Sequence, residues 1–205
     1  MWRQIRWLLA VALVFCLAGC DRPAKPVFRG ADITGSNFGQ RLALTDHNGR
    51  AVTLDTFRGK VVVLFFGYTH CPDVCPTTLS DIAEAFKQMP AGASDKVQVL
   101  FVTVDPERDT PEVLKAYAPY FHPSFLGLYG SPTQVAQAAK DFRIVYRRHV
   151  EPGASGYLVD HSAGSYVLDS HGRLRLYLPF GHTPQDIAND LTALLKADGM
   201  LEGGV

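Results

Sequence analysis

The chain has 205 residues, and its 20 basic residues balance its 20 acidic residues, which gives a formal net charge of +0. This balance excludes a protein that is held on nucleic acid by its overall charge. The length, less an N-terminal leader and linker, suits one domain built around a single core.

The N-terminus has the layout of a bacterial secretory signal. Basic residues precede an apolar stretch over residues 7–17, which is short for a bilayer span. The sequence Leu-Ala-Gly-Cys at residues 17–20 then resembles a lipoprotein signal, in which Cys20 receives diacylglycerol. We therefore predict a signal peptide over residues 1–19 and a lipid anchor at Cys20, on the periplasmic side of the bacterial cytoplasmic membrane. An uncleaved signal anchor is the alternative, and it would give the same side.

Composition divides the rest of the chain into three parts. Proline, glycine and polar residues are frequent in residues 20–39, which predicts a flexible tether between the membrane and the folded part. Residues 40–197 carry the periodic apolar patterns of a domain, and residues 198–205 form a short C-terminal tail.

Strand and helix patterns alternate in the first half of the domain. Residues 42–45 and 51–54 flank an Asn-Gly pair that favours a tight hairpin turn. Residues 60–66 are almost all apolar and β-branched or aromatic, which indicates a strand covered on both faces. Apolar residues at helical spacing predict a helix over residues 77–89, with Thr78 in a capping pair at its start.

Later patterns complete an α/β sequence. We predict a second buried strand over residues 97–104 and a hairpin of strands over residues 165–168 and 174–178. We predict three further helices, over residues 111–121, 131–142 and 183–196. This order predicts an α/β fold with a mixed central sheet flanked by helices and an N-terminal β-hairpin extension. In such sheets, ligands collect at the carboxyl ends of the parallel strands.

Two of the four cysteines lie at such a strand end, in Cys-Pro-Asp-Val-Cys at residues 71–75. Thiolates are soft ligands that suit Cu(I), and this spacing brings both sulfurs to one side of a helical turn or tight loop. Pro72 and Pro76 stiffen the loop, so less ordering remains for metal binding. Cys75 is close to the predicted helix start, where unpaired N–H groups favour a thiolate.

Three motifs together resemble the SCO/SenC family of thioredoxin-like copper proteins. They are FRGKVVVLFFGYTHCPDVCPTTL at residues 57–79, VTVDPERDTPE at residues 102–112 and VDHSAGSYVLD at residues 159–169. The resemblance spans residues 38–195. It implies a thioredoxin-like copper-binding domain over residues 40–197. It also implies that Cys71, Cys75 and one histidine bind a copper ion, Cu(I) or Cu(II). The implied role is in building the copper centre of cytochrome c oxidase.

The third ligand has to come from elsewhere among the seven histidines. His161 is the main candidate, because in a thioredoxin-like sheet the segment before residues 165–168 passes beside the dithiol loop. His70 is the rival, since it adjoins the first cysteine, although neighbouring side chains of an extended segment point apart. Asp160 or Asp73 could orient the metal-bound imidazole as a hydrogen-bonded carboxylate.

An acidic motif follows the strand predicted over residues 97–104. In a functional role, Asp105 would orient a ligand or contact the partner. In a structural role, Asp109 or Thr110 would cap the next helix while Arg108 pairs with a neighbouring carboxylate. We favour the structural role, and Asp105 stays a candidate.

Three functions fit a thiol pair outside the cytoplasm. A metallochaperone would pass copper to the copper site of cytochrome c oxidase subunit II, with other periplasmic copper chaperones or thiol reductants as further partners. A thiol-disulfide oxidoreductase would use Cys71 and Cys75 as a redox-active pair on the cysteines of the same oxidase site. A structural disulfide is the third, but a bridge across so short a loop stabilises little through chain entropy.

Copper delivery is the function that these residues favour. Reductases with a thioredoxin fold carry C-x-x-C, usually after Trp, and a proline beside the disulfide. This chain has one more residue between its thiols, and His-Ser-Ala-Gly at residues 161–164 where that proline is expected. A histidine in that place suits a metal site, and the loss of the proline removes the surface that holds a reductase substrate.

Overall fold

The structure is a computed structural model that describes residues 26–150 and 156–201. The predicted signal peptide, the predicted anchor at Cys20 and the start of the predicted tether lie outside these ranges. Within them, no helix is both long enough and apolar enough to cross a bilayer.

The described residues form ten strands and four α-helices, together with short 3-10 turns at Leu54–Phe57 and Ser94–Lys96. The strands are β1 (Ala31–Asp32), β2 (Ala43–Asp46), β3 (Ala51–Thr53), β4 (Val61–Gly67), β5 (Val97–Thr103), β6 (Leu126–Tyr129), β7 (Tyr146–His149), β8 (Leu158–His161), β9 (Ser165–Leu168) and β10 (Leu174–Leu178). The helices are α1 (Val74–Gln88), α2 (Pro111–Phe121), α3 (Pro132–Asp141) and α4 (Pro184–Ala197).

Eight of the strands form one mixed sheet in the order β1-β10-β9-β4-β5-β6-β2-β3. Strands β4, β5 and β6 are parallel, and the other pairs in this sheet are antiparallel. Within the part of the chain that the structure describes, strands β7 and β8 pair only with each other, as a separate antiparallel sheet. The predicted N-terminal hairpin, β2–β3, extends the edge of the main sheet beside β6.

The core lies around the two central parallel strands. Every residue of β4 and β5 is buried, as expected for continuous apolar strands covered on both faces. Helix α4 packs against α1 and β4, α2 packs against β6, and α3 packs against β2. The predicted α/β architecture, a mixed sheet flanked by helices, is therefore confirmed.

The predicted tether is shorter than residues 20–39. Strand β1 pairs with β10, and the backbone N–H groups of Arg29 and Gly30 each donate a 2.7 Å hydrogen bond to the buried carboxylate of Asp190. Residues 28–39 therefore contact the folded part, and a boundary at residue 40 is too late. The error arises because proline, glycine and polar residues are also typical of a surface segment held by backbone hydrogen bonds.

Helix α1 begins three residues before the predicted start at residue 77. Pro76 falls in its first turn, where a missing N–H is tolerated, so the proline does not delay the helix. Thr78 is consequently inside the helix, buried, and its hydroxyl has no hydrogen-bond partner among the described residues. The predicted capping pair is wrong, and Cys75 lies within the first turn.

Candidate metal centre

The two thiols lie where β4 leads into α1. Cys71 is in the connecting loop and partly exposed, whereas Cys75 is fully buried in the first helical turn. The backbone N–H of Cys75 donates to the sulfur of Cys71 over 3.4 Å. Both residues are free thiols, so the sulfurs remain available to a metal.

Gly67, the last residue of β4, makes room for the buried sulfur. A Cβ at this position would lie 2.6 Å from Cys75 Sγ and 2.8 Å from the ring of Phe101. Both separations are shorter than van der Waals contact, so only glycine allows the sulfur to rest on the end of the strand. The strand end and the helix start therefore fix Cys75 together.

His161 reaches the same sulfur from the end of β8. Its Nε2 lies 3.3 Å from Cys75 Sγ, although 86 positions separate the two residues in the chain. Its Nδ1 lies 3.0 Å from the carbonyl oxygen of Ser162. A carbonyl oxygen only accepts, so Nδ1 carries a proton there, and Nε2 is the ring nitrogen that faces the sulfur.

Two aromatic rings hold the imidazole from the sides. The ring centres of Phe65 and Tyr68 lie 5.9 and 6.0 Å from that of His161, and both pairs are edge-to-face. Such contacts restrict the orientation of the imidazole while leaving its nitrogen atoms free to bind.

The sulfurs of Cys71 and Cys75 and a ring nitrogen of His161 all lie within 4.8 Å of one another. The rival histidine is placed differently. His70 is exposed, and its Nδ1 lies 3.2 Å from the hydroxyl of Thr69 and 3.8 Å from Asp109. The geometry therefore favours His161 over His70 as the third ligand.

Comparison with known proteins identifies the family. The model of the SCO1/SenC family matches residues 30–196, which include all three residues of the centre. The SCO2-like protein of Rickettsia conorii is 32% identical over 186 residues, which are 89% of this chain and 90% of that protein. The chain belongs to the SCO1/SenC family.

Solved structures of SCO1/SenC proteins agree with the fold. ScoI of Bradyrhizobium japonicum, solved with copper bound, is 41% identical, with a TM-score of 0.70, and the match covers 77% of this chain and 99% of that chain. Yeast Sco1, also solved with copper bound, is 33% identical, with a TM-score of 0.71, covering 79% of this chain and 90% of that chain. The thioredoxin-like fold predicted from the motifs is confirmed.

In this SCO1/SenC domain, the two thiols differ in acidity. A hydrogen bond from the Cys75 thiol outweighs burial, and with hydrogen bonds from His161 and from the backbone N–H groups of Asp73 and Cys75 it holds the pKa of Cys71 well below its usual value. The same hydrogen bond to Cys71, together with burial, raises the pKa of Cys75. The expectation that the helix start favours a thiolate at Cys75 is therefore wrong, because that thiol donates to Cys71 and is buried.

The carboxylates considered for orienting the imidazole lie elsewhere. Asp160 and His161 are neighbours on one strand, so their side chains leave opposite faces. The exposed Asp160 contacts His149 Nδ1 at 3.1 Å, and Asp73 accepts a hydrogen bond from the hydroxyl of Thr77. The Ser162 carbonyl takes the place that was expected for a carboxylate.

Asp105 has the structural contacts expected of the acidic motif. Its buried side chain binds Arg108, and Thr110 caps α2 by accepting a hydrogen bond from the Val113 N–H. Asp109 does not cap the helix. Its buried carboxylate accepts hydrogen bonds from the backbone N–H and the hydroxyl of Thr69. Its connection to the segment that leads into Cys71 could not be read from the sequence, since 40 positions separate the pair.

A second group of possible ligands contains Asp169, His171 and Asp198. Arg173 Nε lies 2.8 Å from Asp169, and Arg175 lies within 4 Å of both carboxylates. These arginines already neutralise the carboxylates, so the group is explained as an ion-pair network.

Proposed function

We propose that this protein is a copper metallochaperone that faces the periplasm. It binds copper through Cys71, Cys75 and His161 and assists assembly of the dinuclear copper centre in cytochrome c oxidase subunit II. Two relatives with copper bound support the cargo, and the Sco family is one of cytochrome c oxidase assembly proteins, which supports the partner.

One observation carries the proposal. Two sulfurs and an imidazole nitrogen converge within 4.8 Å. Sulfur suits Cu(I), and imidazole accepts either oxidation state. In zinc sites the metal lies about 2.3 Å from sulfur and about 2.0 Å from nitrogen. Cys75 Sγ and His161 Nε2 are 3.3 Å apart, which is less than the sum of two such bonds, so one ion can bind both atoms.

The acidities suit uptake and release of such a cargo. Cys71 is held as a thiolate at neutral pH and is partly exposed, so it is ready to bind copper first. Cys75 is protonated, and its proton must leave to solvent when the second sulfur binds. That proton can return when copper passes to the partner, which favours release.

The same asymmetry favours thiol-disulfide exchange as a second candidate function. The Cys71 thiolate would attack a disulfide in the oxidase subunit and form a mixed disulfide. Cys75 would then lose its proton and displace the subunit thiolate. The subunit gains two thiols, and this protein is left with a Cys71–Cys75 disulfide that a periplasmic thiol reductant must reduce.

The proposed location depends on residues outside the described ranges. Residues 1–19 would direct export, and Cys20 would carry the lipid that holds the domain at the periplasmic face of the membrane. The residues between Cys20 and Phe28 then remain as a short tether. Another periplasmic copper chaperone would supply the copper.

Anaerobic titration of the reduced domain with Cu(I) tests the metal site. We expect one copper ion per chain, no binding in the Cys71→Ser, Cys75→Ser double variant, and weaker binding in His161→Ala. His70→Ala is the matched control and should bind as the unmodified domain does. Full binding by the double variant, or loss in His70→Ala with none in His161→Ala, would refute the ligand set.

Mixing experiments separate the two functions. Copper-loaded domain should transfer its copper to a reduced, copper-free subunit II domain, detected by the visible spectrum of the dinuclear centre. If loaded protein transfers no copper while metal-free protein rapidly reduces a disulfide in that domain, the oxidoreductase is the correct function.

A further inference from the structure

The hairpin that carries His161 is not part of the main sheet. Strands β7 and β8 pair only with each other, and no strand ladder joins them to the eight-stranded sheet within the described residues. A two-stranded hairpin is marginally stable by itself. The short connection from His161 into β9 and the side-chain contacts of the hairpin therefore keep the imidazole beside the thiols.

A buried carboxylate lies between this hairpin and the main domain. Oδ1 of Asp105 accepts a 2.7 Å hydrogen bond from the Tyr157 hydroxyl and a 3.3 Å hydrogen bond from Arg148 Nη2. Its Oδ2 accepts from Arg108 Nε. Arg148 lies on β7 and Tyr157 directly precedes β8, so one carboxylate binds one strand of the hairpin and the residue that leads into the other.

Arg108 and the ring of Tyr157 complete the cluster. Arg108 Nη1 donates a 2.9 Å hydrogen bond to the Tyr157 carbonyl, and its guanidinium carbon lies 3.6 Å from the centre of the Tyr157 ring. The guanidinium carbon of Arg148 lies 4.7 Å from the same ring centre, and Glu107 pairs with Arg148 at 2.7 Å. Two cations therefore meet two anions and one aromatic ring, which leaves the cluster without net charge.

The other end of the same loop contacts the thiol side of the centre. Asp109 accepts hydrogen bonds from the Thr69 N–H at 3.0 Å, the Thr69 hydroxyl at 2.6 Å and the Thr103 hydroxyl at 2.6 Å. Thr69 lies two positions before Cys71. Residues 105–109 thus bind the hairpin of His161 at one end and the segment leading to the thiols at the other.

We propose that the cluster of Asp105, Arg108, Arg148 and Tyr157 positions His161 for copper. The proposal rests on the proposed function, because it takes His161 as a ligand. These are positioning residues, since none belongs to the group of possible ligands. A hairpin released from Asp105 would hold the imidazole at the sulfurs for only a fraction of the time, and the apparent copper affinity falls with that fraction.

Two variants test the cluster and one serves as the control. Tyr157→Phe keeps the ring between the arginines and removes only the hydroxyl that binds Asp105, while Arg148→Ala removes a whole contact from β7. Arg147→Ala is the matched control: it removes the same charge from the next position of β7, and the side chain of Arg147 has no hydrogen bond or ion pair to other described residues.

Competition with a chromophoric Cu(I) chelator measures the affinity of each reduced variant. We expect Arg148→Ala to bind copper about 10-fold more weakly, as is usual when a residue that orients a ligand is removed. Tyr157→Phe should show a smaller loss, and Arg147→Ala should show none. Unchanged affinity in both Arg148→Ala and Tyr157→Phe, with a loss in His161→Ala, would overturn the positioning role alone.

A double-mutant cycle separates positioning from general destabilisation. If the cluster acts through the imidazole, Arg148→Ala has no further effect on affinity in the His161→Ala background. An equal loss in both backgrounds would refute the proposal.

The metal-free protein gives a readout that does not depend on copper. In Arg148→Ala, we expect the NMR signals of the His161 ring to shift and the amides of β7 and β8 to exchange faster. If His161→Ala leaves copper affinity unchanged, the assignment of His161 as a ligand fails. The NMR signals of His161 in Arg148→Ala would still test whether the cluster positions the imidazole. Unchanged signals in Arg148→Ala would refute it.

Discussion

The two halves of the proposed copper site are built differently. The two thiols follow a fully buried strand, and the surrounding core sets the position of the buried Cys75 sulfur. The imidazole lies on a separate two-stranded hairpin that charged and aromatic side chains hold in place. Changes on the thiol side should therefore affect folding and metal binding together, whereas changes on the hairpin should affect metal binding with little effect on folding.

The largest expected effect concerns the thiol side and its acidity. At pH 6 an ordinary cysteine, with a pKa of about 8.5, is a thiolate in only about one molecule in three hundred. Because the hydrogen bond from Cys75 depresses the pKa of Cys71, we expect Cys71 to be mainly thiolate at this pH. Its alkylation by iodoacetamide, followed by mass spectrometry from pH 4 to pH 9, should therefore persist in acid.

Cys75→Ala is the control for this pH profile. It removes the largest cause of the depressed pKa, so the alkylation profile of Cys71 should move to higher pH. A midpoint near pH 8.5 in the unmodified protein would contradict the prediction.

The same pKa shifts make the free energy of unfolding depend on pH. The stability that Cys71 contributes is present above its pKa in the unfolded chain and is lost as the pH falls toward its pKa in the folded protein. Stability from Cys75, whose pKa is raised, is lost only as the pH rises above the unfolded value.

The second prediction concerns Asp109, also on the thiol side. Asp109→Ala leaves the hydroxyl of Thr103 and the N–H of Thr69 without their acceptor in a buried place. We expect the free energy of unfolding to fall by about 3 kcal/mol, measured by urea denaturation of the reduced, metal-free domain. Copper affinity should fall as well, because Thr69 leads into the dithiol loop. A loss of stability below about 0.5 kcal/mol would show that the loop does not depend on this carboxylate.

Gly67 provides the third prediction and a matched pair across the two halves. In Gly67→Ala the added Cβ meets Cys75 Sγ and the Phe101 ring, so we expect a loss of about 2 kcal/mol and weaker copper binding. In Gly156→Ala, just before β8, the added Cβ meets no atom of the described residues within 4 Å. Equal effects of the two changes on thermal unfolding or copper titration would contradict the proposed difference between the thiol side and the hairpin.

The sequence predicts the thiol side better than the hairpin. Continuous apolar residues and the prolines at helix starts indicate β4, β5 and α2, and the spacing of the two cysteines implies adjacent sulfurs. These signals are local. The acidity of each thiol escapes prediction because it depends on which thiol donates to the other and on which sulfur the fold buries.

The hairpin depends on contacts between distant residues. Strand β7 is mostly polar, so no apolar period indicates its pairing with β8. The contact between Asp105 and Tyr157 joins residues 52 positions apart, and the docking of Arg29 on Asp190 joins residues 161 positions apart. Neither pair leaves a local signal. The family motifs nevertheless indicated His161, because they report the fold that brings it to the thiols.

The smallest expected effect lies on the hairpin itself. Ser162 follows β8, and its hydroxyl accepts a 3.1 Å hydrogen bond from the N–H of Val145, which precedes β7. In Ser162→Ala, water can replace the lost acceptor because the site is exposed, so we expect the free energy of unfolding to fall by only about 0.5 kcal/mol. The Val145 amide should nevertheless exchange faster with deuterium, since the hairpin opens without global unfolding. If Val145 instead exchanges at the rate of the β4 amides, the hairpin opens only with the core, and the two halves form one cooperative unit.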